Sequence, residues 1–115
     1  MSHIDDFYAP VVGEFEQLVL LALVRLGNGA YGAAILREIR ERTGREIAAG
    51  ALYMTLGRLV DKKMICSYVG DPSPQRGGRR RKHYLIDTLG QKALGRAYRV
   101  FKTMSQGIER ELENL

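Results

Sequence analysis

The chain has 115 residues, 45% of them hydrophobic, and carries 18 Lys plus Arg against 13 Asp plus Glu, a formal charge of +5. That length is most simply one domain, and the hydrophobic content argues against global disorder. A single cysteine, Cys66, excludes an internal disulfide, no apolar run reaches the roughly 20 residues of a membrane span, and Asp5 and Asp6 argue against a signal peptide, so a soluble cytoplasmic protein is expected.

Residues 1–13 are weakly patterned, and are either disordered or an addition to a subunit interface. The first strong periodic segment runs from about Glu14 to Leu26, where Phe15, Leu18, Val19, Leu21, Ala22, Val24 and Leu26 cover nearly every face. A helix that is apolar all round is buried on several sides, either centrally or by a partner subunit. Gly27-Asn28-Gly29 ends it. A second helix is predicted from about Tyr31 to Thr43, with Ile35, Leu36 and Ile39 inward, Arg37, Glu38, Arg40, Glu41 and Arg42 in water, and Gly44 as its C-terminal cap.

The third helix is predicted over about Ala49 to Lys63. Leu52, Leu56, Leu59 and Val60 share one face, and Gly50, Met54, Gly57, Arg58 and Asp61 share the opposite one. Two helices joined by a short turn make a helix-turn-helix candidate. Two strand-like runs follow, Ile65 to Val69 and Tyr84 to Ile86, rich in β-branched and aromatic residues. The linker between them holds Pro72, Pro74, Gly77 and Gly78, so the pair reads as a β-hairpin with a long loop. Within that loop, Arg76 to His83 contains five cations in eight positions, which account for the whole excess of positive charge. A concentrated cationic loop points to a polyanion, the alternative being a solvated, solubilising loop.

The last helix opens at Thr88, which has capping-box spacing to Gln91 and can be reinforced by Asp87. Leu94, Ala97, Phe101, Met104, Ile108, Leu112 and Leu115 recur at intervals of three or four. The stripe runs well past any surface a small domain offers, so one long helix is predicted to pack against the first helix of a second copy. The expected class is mainly α (α+β): a helix-turn-helix domain over 14–87 with a two-stranded β-hairpin wing, then a dimerisation helix over 88–115.

Particular residues go further. Ala30-Tyr31-Gly32 opens the second helix, Gly50-Ala51-Leu52-Tyr53 opens the third, and Leu56-Gly57-Arg58-Leu59 lies within it. Asp71-Pro72-Ser73-Pro74-Gln75-Arg76-Gly77-Gly78-Arg79 and His83-Tyr84-Leu85 form the wing, and Asp87-Thr88-Leu89-Gly90 leads into the last helix. In this order and spacing, over about 14–100, the set resembles the PadR family of bacterial transcriptional regulators. The resemblance implies a dimeric regulator, more often a repressor, reading a pseudo-palindromic operator with the third helix in the major groove and the wing on the backbone or minor groove. Ala48 and Ala49 stand where the family commonly has Ser or Pro, so the third helix lacks a side-chain N-cap. No tryptophan is present, so an effector site of stacking tryptophans, as in the family's multidrug-binding members, is not supported.

The expected DNA contacts are Tyr31, Gly50, Ala51, Tyr53, Met54, Thr55 and Arg58 from the helices, and Arg76, Gly77, Gly78, Arg79, Arg80, Arg81 and Lys82 from the wing. Tyr53 either donates its hydroxyl to a phosphate or packs with that hydroxyl in water; Tyr31 is either structural or near the backbone. The third helix is poor in donors, so apolar contact with thymine methyls, DNA shape or the wing must carry much of the specificity. The expected dimer residues are Phe15, Leu18, Leu94, Ala97, Phe101, Met104, Ile108 and Leu112, and such a seam can also line a small-molecule effector cavity. No cofactor, metal or catalytic site is expected, since only His3 and His83 are present as histidines and neither keeps ligand or triad spacing to Cys66. The rival readings are a winged-helix protein-interaction module and a nucleic-acid binder without operator specificity.

Overall fold

The computed structural model describes residues 9–27, 29–70 and 80–115. In chain order it contains α1 (Glu14–Leu26), β1 (Ala30–Tyr31), α2 (Gly32–Thr43), α3 (Ala49–Asp61), β2 (Ile65–Val69), β3 (Lys82–Ile86), α4 (Thr88–Ser105) and α5 (Glu109–Glu113). The apolar spacing explains how the helices meet. Val19 and Leu20 of α1, Ile35 and Ile39 of α2, and Leu52, Leu56 and Leu59 of α3 converge in one core with Met64, Ile65 and Tyr84 of the sheet. Helix α1 is central, touching α2, α3, α4 and β3, which explains its buried residues on adjacent faces. Leu21 and Val24 on its far side stay exposed.

The sheet has three antiparallel strands in the order β1-β3-β2. The hairpin pairs Ile65 with Ile86 through Val69 with Lys82, and Gly70 N–H donates to the Arg81 carbonyl at 2.8 Å to close its base. The expected two-stranded wing therefore gains a third strand. Ala30 and Tyr31 pair with Tyr84 and His83 and leave the second helix to begin one residue later, at Gly32.

Helix α3 has no side-chain cap; its first turn opens with Leu52 N–H donating to the Ala48 carbonyl. The turn before it is held from the side. Arg40, expected simply in water, bends its guanidinium back so that Nε donates to the Ile47 carbonyl at 3.1 Å, with Nη2 donating to the same oxygen. At the start of α4 the cap is Asp87, whose carboxylate accepts from Thr88 N–H at 2.7 Å, so Thr88 is the first helical residue and not the cap. Gly90 lies so close to the backbone just ahead of β2 that no side chain fits: a Cβ there would stand 2.1 Å from the Met64 carbonyl oxygen.

The predicted single C-terminal helix is broken. It stops at Ser105, and Gly107 takes φ +90 with its N–H donating to the Glu109 carboxylate at 3.0 Å. The five-residue α5 then restarts the helical path. Few residues other than glycine hold that left-handed conformation cheaply, so the break is local and specified.

Candidate nucleic-acid interface

Helix α3 presents two faces with opposite chemistry. Leu52, Leu56 and Leu59 are buried, while Gly50, Ala51, Met54, Gly57 and Arg58 are exposed. Thr55 belongs to the inner set, at 1% exposure, so its expected contact with DNA is set aside. It lies three residues after Leu52 and four before Leu59, on the packed side of the helix. Its hydroxyl instead accepts from Arg58 Nη2 at 2.9 Å, and no buried side-chain polar atom among the described residues lacks a partner.

Tyr53, half exposed, lays its ring against the start of α2. A Cβ at Gly32 would meet the ring at 2.5 Å, so two of the sequence motifs touch at a position where any larger residue displaces the tyrosine. The adjacent Tyr31 is covered by the wing. The Arg81 guanidinium carbon lies 4.0 Å from the Tyr31 ring centroid, a cation–π contact. The charge of Arg81, then its hydrogen bond, lowers the Tyr31 hydroxyl below the usual phenol range; burial opposes this and Arg37 adds to it. Next along the strand, His83 stacks on Tyr68 at 5.0 Å between centroids and meets Tyr31 edge-on. Its Nδ1 lies 2.6 Å from the Gly29 carbonyl oxygen. A carbonyl only accepts, so Nδ1 carries the proton.

Helix α3, the start of α2 and the wing base thus form one continuous surface. Arg81 is half buried on it; Arg80 and Lys82, its neighbours in the chain, are exposed. Arg76, Gly77, Gly78 and Arg79, at the expected wing tip, lie outside the described residues. The roles of Arg37, Arg40, Tyr68 and His83 were not read from the sequence. The stacking pair had no local signal, since Tyr68 and His83 meet only through the register of β2 on β3. Among the described residues no group of three His, Cys, Asp or Glu side chains is placed to hold a metal ion.

At the other end of α3, Lys62 Nζ donates to the Glu16 carboxylate at 3.0 Å, and Gly13 N–H donates to the other Glu16 oxygen at 3.1 Å. Burial raises the Glu16 carboxyl, but the bonds from Lys62 and Gly13 and the charges of Lys62 and Arg58 outweigh it and hold the group below the usual carboxylate range.

The expected dimer residues divide in two. Phe15, Leu18, Leu94 and Ala97 pack against this chain's own core and are half buried. Beyond Ala97 the stripe leaves the core: Phe101 is 70% exposed and Met104 76%, with Ile108 and Leu112 also exposed. Val12, Gln17, Ala97, Val100, Phe101 and Met104 line much of a groove of about 340 Å³ along α4. Among the described residues no helix is long and apolar enough to cross a membrane.

The sequence model of the transcriptional regulator PadR-like family matches residues 20–106. A PadR family transcription regulator from Clostridium difficile R20291 is 26% identical, with a TM-score of 0.71 over 87% of this chain and 99% of that one. A PadR-like transcriptional regulator from Bacillus cereus is 20% identical, with a TM-score of 0.69 over 85% of this chain and 90% of that one. F93 from STIV, a winged-helix DNA-binding protein, is 20% identical, with a TM-score of 0.67 over 85% and 98%. No curated protein matches the sequence.

Proposed function

Because the chain belongs to the PadR-like family of transcriptional regulators, we propose that it is a homodimeric, cytoplasmic repressor that binds a two-fold symmetric operator in double-stranded DNA. Members of this family are regulators of transcription and not enzymes. Helix α3 enters the major groove, and the wing lies on the adjacent backbone or minor groove. The observation that carries this reading is the continuity from Tyr53 on α3, across Gly32 and Tyr31, to Arg81 at the wing base. Contacts along that line bring the recognition helix and Arg81 at the wing base onto one surface, which suits a protein held in register on a duplex.

The wing supplies affinity by neutralising phosphates and releasing counterions. Tyr53 and Tyr31 sit between wing and helix, where a hydroxyl meets backbone phosphate. The exposed Phe101, Met104, Ile108 and Leu112 form the apolar stripe that a second copy covers. The groove beside α4 is the place for a small apolar effector.

One feature favours a second reading, binding without sequence preference: the exposed face of α3 holds few donors. Gel shifts with the DNA upstream of the protein's own gene, against scrambled competitor at several salt concentrations, separate the two. The operator reading predicts retention on the upstream DNA as salt rises while the scrambled duplex is lost. Equal affinity for both would overturn it, and no binding at low salt would favour a protein-assembly module.

A further inference from the structure

Thr55 occupies a core position on α3, yet it carries a hydroxyl where Leu52, Leu56 and Leu59 around it are purely apolar. A buried hydroxyl is costly unless bonded. Here it accepts from Arg58 Nη2 at 2.9 Å, so an inward residue holds an outward one. We propose that Thr55 and Arg58 form a guanine-reading pair, in which the buried hydroxyl fixes the guanidinium and Arg58 contacts the O6 and N7 edge of one guanine in each half-site. The proposal rests on the DNA-binding reading above and deepens it.

Direction supports this. Side chains on a helix lean toward its N-terminus, so the bond from Arg58 back to Thr55 places the guanidinium over the preceding turn. Thr55 is the seventh of the thirteen residues of α3, so the bond draws the guanidinium from the C-terminal half to the edge of the N-terminal half, which contacts base edges in a recognition helix. The residues around it on the exposed face, Gly50, Ala51, Met54 and Gly57, have no side-chain donors, and Tyr53 is turned onto Gly32. Arg58 is therefore the long donor available to this face. One N–H is committed to Thr55, and the fork has others for the two adjacent acceptors that guanine alone presents in the major groove. Among the described residues no carboxylate pairs with the fork: the Glu16 carboxylate, which feels the charge of Arg58, is bonded by Lys62 and by Gly13 N–H. Thr55 does not touch the DNA; it is a positioning residue acting through Arg58.

The test is selection of binding sites from a pool of random-sequence duplexes by the full chain and its Arg58→Ala, Thr55→Val and Thr55→Ser variants. For the wild type, one guanine per half-site should be preferred on the order of 10- to 100-fold. Arg58→Ala should lose that preference. Thr55→Val, which keeps the volume but not the hydroxyl, should lose most of it without a lower unfolding midpoint, and Thr55→Ser should restore it. Replacing that guanine by 7-deazaguanine in a selected duplex should weaken the wild type and leave Arg58→Ala unchanged. An Arg58→Ala protein that binds all sequences equally more weakly, with a flatter salt dependence, would make Arg58 a phosphate contact and overturn the proposal. So would full guanine preference in Thr55→Val. A wild-type protein that enriches no sequence would instead bring down the operator reading beneath it.

Discussion

Gly90 decides between two opposite expectations for a single methyl group. It lies in the first turn of α4, and on helix propensity alone Gly→Ala gains about 1 kcal/mol. The packing says otherwise. The added Cβ would stand 2.1 Å from the Met64 carbonyl oxygen and 3.0 Å from its carbon, and backbone cannot rotate aside as a side chain can. The same carbonyl accepts from Asp87 N–H at 2.9 Å, so backing α4 away also stretches the bond that anchors its cap. Overpacking at the upper end of the usual range costs about 3 kcal/mol and a weakened hydrogen bond about 1 kcal/mol. Against the propensity gain the net loss is about 3 kcal/mol, which for a domain of this size lowers Tm by roughly 12 °C. Urea and thermal unfolding followed by circular dichroism measure it. Gly57→Ala is the control, because a Cβ there meets nothing within 4 Å, and it should raise stability by about 0.5–1 kcal/mol. Equal gains in the two variants would refute the close packing of α4 on the Met64 backbone.

Replacing Arg79, Arg80 and Arg81 with Ala should weaken binding to every duplex and flatten its salt dependence. With about three phosphates per wing and two wings, the log–log slope they supply is near −5, and light scattering should find the dimer intact; monomers would contradict the division of labour between wing and α4. Phe101→Asp should dissociate the dimer and abolish operator binding, since each half-site alone is weak; a fully active variant would rule out that interface. Glu16→Gln tests the contact between α1 and α3. Because folding lowers the Glu16 pKa, its contribution is present above the unfolded value of about 4.3 and is lost as pH falls through the lower folded value. Wild-type stability should therefore fall more steeply than that of Glu16→Gln as pH drops below about 4.3, and parallel urea-unfolding curves would refute it. Gly32→Ala should displace the Tyr53 ring and weaken DNA binding, with a smaller effect when Tyr53 is already Ala; an undiminished effect in that background would mean the two positions are not coupled.

The long periodic elements were legible because their cores are built from one residue type at helical spacing. Residues Glu14–Leu26 and the inward Leu52, Leu56 and Leu59 stand where their pattern puts them. The features that sequence missed depend on distant partners or on single residues. Strand β1 is two residues long, and its partners Tyr84 and His83 lie more than fifty positions away, so no local propensity announces it. The break at Gly107 was hidden by the apolar stripe, which resumes in phase at Ile108 and Leu112 although the backbone does not continue. Thr55 on the flank of α3 could face either way, and the structure turns it inward: three after Leu52 and four before Leu59 is a core position whatever the side chain. The turn of Arg40 onto the Ile47 carbonyl had no sequence signal, since an exposed arginine on a charged helix face looks the same with or without such a bond.

Hydroxyl-radical footprinting of the wild-type protein on the DNA upstream of its own gene tests the central claim most directly. Two copies of one helix-and-wing surface, joined through α4, should protect two symmetry-related backbone segments with centres about one helical turn, roughly 10 base pairs, or a multiple of it apart. Each segment should extend on the side where the wing lies and shrink there when Arg79, Arg80 and Arg81 are removed. Uniform protection at saturating protein, or a single protected patch without a symmetric partner, would contradict the account.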